Sequence, residues 1–443
     1  MTVLAALVSS ESLPALWLVR SLAIGTRIRE DADRWGLVVF TAAGRERVCP
    51  LAREKGDAVH DFCRYFRYKC PYARLPPAVP LVTSWEELAN RGEREGWCAY
   101  FAQDSVSADI IVQSYWRRRR PARAAVVDEA HNLLVPEERE YTVGQLAEAV
   151  AAARELGASE RLQGRLQELL HHALTVAAAE LRYALSDEER EELYRMYFEA
   201  LEKGDARLKI LVDLVRATAV YVEAEKIYVY RPPLSLRLRP TIFVSATMPP
   251  EATHFLNVEV ELRVPWSVRA KAFIVEGVTT KFEDYSTRMA ERYVKLLVRV
   301  SKRHKRILVF AASERVAKDL RAWATYEETI PPPGWEGVLL LRARGRYSEG
   351  IDLQADAIII AGAPFLPPEV AASLARALKR AGHPDPVKAA IDMPMIIATL
   401  QCVGRAWRDP QKPPTVYLAD ERFARYRELE EYLEIQTTSL DKL

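Results

Sequence analysis

The chain has 443 residues, enough for two to four domains at roughly 100–200 residues each. Apolar residues make up 49% and charged residues 28%, which excludes the disordered and collagen-like classes. Lys+Arg 63 against Asp+Glu 61 leaves a net charge of +2, so any hold on a polyanion must come from local patches. No uncharged apolar run reaches the roughly 18 residues of a membrane span, and the first residues lack a basic n-region and a cleavage site. A cytoplasmic protein is expected. Arg far outnumbers Lys, and Asn occurs only at Asn90, Asn132 and Asn257, a composition that fits a thermophile and equally a GC-rich genome.

In chain order, a helical start leads into the apolar strand Ala15–Val19, a helix with Ile24, Ile28 and Ala32 at helical spacing, and a strand Leu37–Phe40. A loop-rich stretch from Thr41 to Ala108 then carries Cys49, Cys63, Cys70 and Cys98 and reads as a small inserted domain. Buried strands resume at Asp109–Val112 and Ala124–Val127. From Pro136 to Ala224 the period is helical, with Leu146, Val150, Leu162, Leu166 and Leu169, and an all-helical insertion is predicted. Strand texture returns at Thr241–Val244, and a second α/β region follows with strands at Ile307–Phe310, Val338–Leu341, Ala357–Ile360 and Thr415–Leu418. The expected fold class is therefore α/β. Residues 1–40, 106–135 and 236–250 make a first parallel-sheet lobe, 41–105 a cysteine domain, 136–235 a helical domain and 251–443 a second lobe.

Asp128-Glu129-Ala130-His131 follows the Val127 strand end, where parallel α/β folds place ligands. Two adjacent acids there can hold Mg²⁺ through water and polarise a water at a γ-phosphate. Asp128 would hold the metal, Glu129 would orient the water and His131 would couple the site to its neighbours. The plainer reading is that Asp128 caps the next helix. Further along come Ser245-Ala246-Thr247, Gly345-Arg346-Tyr347-Ser348-Glu349-Gly350-Ile351-Asp352 and Gln401-Cys402-Val403-Gly404-Arg405-Ala406-Trp407-Arg408.

In that order, these motifs resemble those of the iron–sulfur XPD/DinG family of superfamily 2 helicases, from Asp128 to Arg408. The resemblance implies two RecA-like lobes, the first interrupted by an iron–sulfur domain and a helical arch. It also implies ATP-dependent unwinding with 5′ to 3′ movement on single-stranded or forked DNA, in repair alongside other repair proteins, by a monomer that needs no membrane. A motor of this kind binds ATP and Mg²⁺ between its lobes, so that hydrolysis alters how they face each other. Arg405 and Arg408 become the candidates for neutralising charge during phosphoryl transfer. Gln401, Gly404, Glu349, Gly350 and Asp352 become nucleotide-linked positions, and Gly350 permits a backbone turn that other residues resist. Ser245 and Thr247 are expected to hydrogen-bond to the acidic box or its strand.

The spacing Cys49-x13-Cys63-x6-Cys70-x27-Cys98 contains none of the short pairs usual at zinc sites, and four thiolates suit a [4Fe-4S] cluster. Structural zinc remains the alternative at this level. The family places such a cluster where these four lie. Arg64, Arg67 and Lys69 alternate with Tyr65, Phe66 and Tyr68, a pattern suited to a single strand; the rings could equally pack the domain's own core. Arg20 and Tyr115 fall at family DNA-contacting segments, though the surrounding patterns depart from it. Arg117–Arg120 is read as a solvated loop.

No Gly-Lys dipeptide occurs in the sequence. A phosphate-cradling loop needs one, since its Lys reaches the β/γ positions and the next hydroxyl binds Mg²⁺. The sequence is expected to enter that motif part-way, with Thr2 at the metal-binding hydroxyl and its ATPase impaired. One rival is a non-catalytic iron–sulfur paralogue that binds single strands or junctions. Another is a nuclease using the acidic box for metal-assisted cleavage.

Overall fold

Runs of apolar, β-branched residues only four or five long fill the interior of the first sheet, because a parallel strand covered on both faces needs no polar side. In the computed structural model α1 (Thr2–Ser9) leads to β1 (Ala15–Val19), α2 (Ile24–Asp33) and β2 (Val39–Ala42). The cysteine segment adds five short helices: α3 (Arg45–Val48), α4 (Ala52–Lys55), α5 (Val59–Tyr65), α6 (Trp85–Glu95) and α7 (Ala99–Ala102). β3 (Ile110–Ser114) and β4 (Ala124–Val127) follow, and β9 (Thr241–Phe243) closes the sheet in the order β2-β3-β1-β4-β9, every pair parallel. Leu4 and Leu7 of α1 and Ile28 and Ala32 of α2 pack on Trp17, Val19, Ile110 and Val126. The structure describes residues 2–22, 24–76, 84–117, 120–176, 178–181, 184–223, 225–234, 240–248, 256–264, 268–326, 334–345, 353–380, 382–407, 409 and 411–443. They divide into two units, residues 1–133 with 137–246 and residues 134–136 with 247–443.

Between β4 and β9, the predicted all-helical insertion is corrected. It holds four helices, α8 (Val143–Glu155), α9 (Glu160–Thr175), α10 (Asp187–Glu202) and α11 (Lys209–Arg216). It also holds an antiparallel sheet of β5 (Glu137–Thr142), β6 (Ala178–Glu180), β7 (Ala219–Glu223) and β8 (Lys226–Arg231), in the order β5-β8-β7-β6. Val220, Val222, Ile227 and Val229 alternate into the core at period two, which a helix cannot do. α8 and α10 start at capping boxes, Thr142 with Gln145 and Ser186 with Glu189. The cysteine segment shares this core: Ala58, Phe62 and Phe66 pack with Leu146, Leu162, Leu193 and Leu201.

The second unit comprises β10 (Ala270–Glu276), α12 (Thr287–Ser301), β11 (Arg306–Ala311), α13 (Glu314–Leu320), β12 (Thr325–Tyr326), β13 (Gly337–Arg342), β14 (Ala357–Ala361), α14 (Pro368–Arg380), α15 (Pro386–Ala406), β15 (Thr415–Ala419) and β16 (Leu433–Ser439). The strands form one parallel sheet, β12-β13-β11-β14-β15-β10-β16. Strand alternation divides its core into two. Leu308, Phe310, Ile358 and Ile360 face Met395, Ile396 and Leu400 of α15, while Ile307, Val309 and Ile359 face Tyr293, Leu296 and Leu297 of α12. α15 is long and apolar enough to cross a membrane, but it is mostly buried as the core helix of this unit. Pro386 opens it beside the Asp385 cap, and Arg344 Nη2 donates to the carbonyl of its interior Pro394 at 3.1 Å.

Candidate functional site

At the carboxyl end of β4 the chain turns sharply, and Glu129 takes φ 49°, a left-handed conformation unusual for a side-chain-bearing residue. Its backbone is fastened on every side. Asp128 N donates to Leu18 O at 2.9 Å and Ala130 N to Val244 O at 2.9 Å, and the Tyr115 hydroxyl donates to the Asp128 carbonyl and, at 3.2 Å, to the Glu129 carbonyl. The Asp128 carboxylate accepts from Glu129 N at 2.9 Å and from Trp17 Nε1 at 3.4 Å. Buried His131 completes the cluster: its Nδ1 lies 2.8 Å from Ser245 Oγ and 3.3 Å from Glu129 Oε2. A carboxylate half open to solvent is thus tied through an imidazole to the loop after β9.

The boundary between the two units falls after Ala246. Ser245 therefore serves the acidic box, whereas Thr247 Oγ1 accepts from Gln401 Nε2 of α15 at 2.8 Å within the second unit. Gln401, Gly404 and Arg405 stand at i, i+3 and i+4 on that helix, so they share a face. Arg405 is 8% exposed. Thr2 opens α1. Glu349, Gly350, Asp352 and Arg408 lie outside the described residues.

The four clustered cysteines are free thiols lining one cavity, together with Arg45, Phe62, Tyr72 and Tyr100. Desolvation pushes the Cys49 thiol up to about 11, and burial also raises Cys70 and Cys98, with neighbouring cysteines contributing in each case. Among the described residues no three Cys, His, Asp or Glu side chains converge tightly enough to grip a single ion.

Arg64, Arg67 and Lys69 are all exposed. Arg67 lies over the Phe101 ring at 4.0 Å, Arg64 over Tyr65 at 5.3 Å, and Lys69 pairs with Glu202 of α10. Phe66 is buried in the core, Tyr65 packs edge-on against Phe198 at 4.6 Å but is 37% exposed, and Tyr68 is 75% exposed.

Two expectations are corrected. Tyr115, expected at DNA, is 2% exposed and spends its hydroxyl on the acidic-box carbonyls, so its ring has no open face. The solvated arginine loop is replaced, at its described ends, by two braces. Arg117 is 6% exposed, with Nη2 2.7 Å from Asp104 and 2.9 Å from Tyr100 O, and Arg120 donates to Gln103 O and Val106 O. Arg20 is exposed, with Nη1 2.8 Å from Asn132 Oδ1.

Two residues escape a reading by motif. Trp17 reaches Asp128 across 111 positions of sequence. Asp420, fully buried at the carboxyl ends of the second sheet, accepts from Thr279 Oγ1, Thr280 N, Ala363 N and Arg422 Nε. Only the Asp-x-Arg pair around Asp420 gave a local signal.

Residues 274–435 match the model of a helicase C-terminal domain. A curated relative, the ATP-dependent DNA helicase XPD of Sulfolobus acidocaldarius, is 22% identical over 472 residues, spanning 90% of this chain and 84% of its own. The chain is thus similar to a helicase C-terminal domain over residues 274–435 and, over most of its length, to an XPD helicase. A solved XPD helicase superposes with a TM-score of 0.70 at 20% identity, covering 98% of this chain and 93% of that one. The structure of Xpd4 from S. tokodaii gives 0.59 at 16% identity, covering 98% and 92%. Both likenesses are of fold, and in the XPD-like frame the two parallel sheets are RecA-like domains.

Proposed function

We infer that this chain acts on DNA as an ATP-dependent helicase of the XPD type, moving 5′ to 3′ on a single strand in the cytoplasm, in DNA repair. The observation that carries the reading is the meeting of Glu129 Oε2 and Ser245 Oγ at His131 Nδ1, at the end of a buried parallel strand, at 3.3 and 2.8 Å. Asp128 would hold Mg²⁺ through water, Glu129 would orient the attacking water, and His131 would report the state of the site to Ser245. In the second unit Arg405 would neutralise charge on the transferring phosphoryl group, with Gln401 holding the Thr247 loop.

A fully assembled site would hydrolyse ATP when stimulated by single-stranded DNA. Glu129→Gln should cut that rate by about 10²–10⁴, as expected for a base that positions a proton acceptor, while leaving nucleotide binding in place. An unchanged rate in Glu129→Gln removes Glu129 from the chemistry. The 443 residues contain no Gly-Lys, and this favours a second reading: taken alone, the chain binds single strands or junctions with little turnover. Tight oligonucleotide binding together with negligible ATP hydrolysis would select it. Mg²⁺-dependent cleavage of labelled DNA without ATP would select a nuclease instead.

The cysteine cavity supports a [4Fe-4S] cluster over zinc. One tetrahedral Zn²⁺ draws four sulfurs to within about 2.3 Å of a single point, whereas a four-iron cluster offers each thiolate its own corner. The four thiols line one cavity, and their spacing holds none of the short pairs usual at zinc sites. Cys49, Cys63, Cys70 and Cys98 would be its ligands. Cys63→Ser should abolish both bound iron and visible absorbance after anaerobic purification; zinc in stoichiometric amount would overturn the assignment.

A further inference from the structure

Trp116 is 50% exposed between two residues that are not, Tyr115 at 2% and Arg117 at 6%. Both neighbours are anchored. Tyr115 N donates to Val19 O at 3.1 Å, Arg117 N donates to Ser114 O at 3.1 Å, and the Arg117 guanidinium is held by Asp104 at 2.7 Å. Trp116 N itself donates to Ser114 Oγ at 3.4 Å. Trp17 and Trp97 of the same unit are buried, at 8% and 3%. Trp116 therefore holds a large ring half in water on a backbone that is fixed from both sides, resting on the Tyr115 ring at 5.7 Å, and Trp35, at 44%, is comparably exposed in the same unit.

Its position narrows what it can take. β1 and β3 are parallel with Val19 opposite Ser114, so the segments carrying Trp116 and Arg20 leave the sheet at the same carboxyl edge from neighbouring strands. The sheet order β2-β3-β1-β4 then fixes what lies along that edge: the start of the cysteine segment after β2, Trp116 after β3, Arg20 after β1 and Asp128 after β4. Arg20 is exposed and its guanidinium is steadied by Asn132. An exposed ring on a fixed backbone, on the same carboxyl edge as an exposed arginine and where parallel sheets take ligands, suits a base and a phosphate of one strand.

We propose that Trp116 is a base-stacking platform for a single nucleic-acid strand running along the carboxyl edge of the first unit, with Arg20 on a phosphate of the same strand. The proposal rests on the DNA-binding reading above and adds to it the residue and the contact. An indole face reads no base edge, so the contact tolerates any sequence.

The test is fluorescence anisotropy of labelled oligothymidylate titrated with the full chain over a salt series. Trp116→Ala should weaken binding by about 5- to 150-fold and Trp116→Phe should recover most of the loss. Stacking releases no counterions, so neither variant should change the slope of log affinity against log salt, whereas Arg20→Ala should reduce it by about 0.7. An oligonucleotide made wholly abasic should bind wild type and Trp116→Ala equally weakly, a comparison that holds even if the alanine variant folds poorly, because wild type alone then shows the loss. Wild-type affinity in Trp116→Ala, equal losses in the Ala and Phe variants, or undiminished binding of wild type to the abasic strand overturns the platform while leaving DNA binding intact. Failure of wild type to bind any oligonucleotide overturns both readings.

Discussion

Glu129 holds its left-handed backbone at a cost of about 1 kcal/mol or more, and the hydrogen bonds of Asp128, Ala130 and Tyr115 around it supply the constraint. Glu129→Gly should relieve that strain, raising the stability of the first unit by up to about 1 kcal/mol in a urea titration while removing the carboxylate beside His131. A destabilised glycine variant would show that the conformation is unstrained. At this scale the sequence exposes the acidic box, because two adjacent acids at the end of an apolar run have few other uses. The indole of Trp17 stays hidden, since its partner Asp128 is distant in sequence and only the β1–β4 pairing brings them together. Tyr115 misleads for a related reason. A match to a family DNA-contacting segment does not say which way the ring faces, and strand geometry turns Tyr115 inward and leaves its neighbour Trp116 outside.

Elements inherit their legibility from burial. β1, β3, β4, β11 and β14 are continuous apolar runs because both faces are covered, and such runs stand out in a sequence. β5 and β16 are half polar, with sequences EEREYT and LEIQTTS, and nothing local separates them from loop or helix. β5 also helps to enclose a buried charge that no pattern announces. Asp213 of α11 is fully buried, with Arg139 of β5 at 3.1 Å, Arg231 of β8 at 2.7 Å, Lys209 at 3.4 Å and the Tyr141 hydroxyl at 2.5 Å. Burial alone would raise its carboxyl, but Lys209, the Tyr141 hydroxyl, Arg231 and Arg139 together hold it below the ordinary carboxylate range. A depressed folded-state value means that this contribution is complete above the unfolded value of about 3.9 and drains away as pH falls through the folded one. Asp213→Asn should therefore cost about 1–3 kcal/mol near neutrality, since it removes the buried carboxylate that these partly exposed cations share. Its urea midpoint should also fall less steeply than that of wild type between about pH 4 and pH 2. Parallel curves for the two proteins would mean that Asp213 is not the titrating group.

For the whole molecule, the α/β class and the alternation of strand and helix can be read from apolar periodicity, and the ordered motifs point to the same likeness to XPD helicases that the comparisons find. Sharing of a core is harder to see. Phe62 and Phe66 look like members of a separate cysteine domain, but they pack against Leu193 and Leu201 of α10, contacts that span more than a hundred residues and leave no mark on either segment. The second unit behaves in the opposite way. Among the described residues, the seven strands of its sheet come from residues 270–439, and both of its cores draw on residues from Ala270 onward. A sheet with each face covered by its own helices has the parts of an independent folding unit. Residues 268–443 expressed alone should therefore unfold in one cooperative transition, with near-ultraviolet circular dichroism and far-ultraviolet helix signal lost together. Leu400→Ala, which empties a site in the α15 core, should lower that midpoint by the equivalent of about 2–5 kcal/mol. If the fragment instead melts gradually, with no near-ultraviolet signal, its sheet depends on residues before 268, and the second lobe is stable only as part of the complete chain.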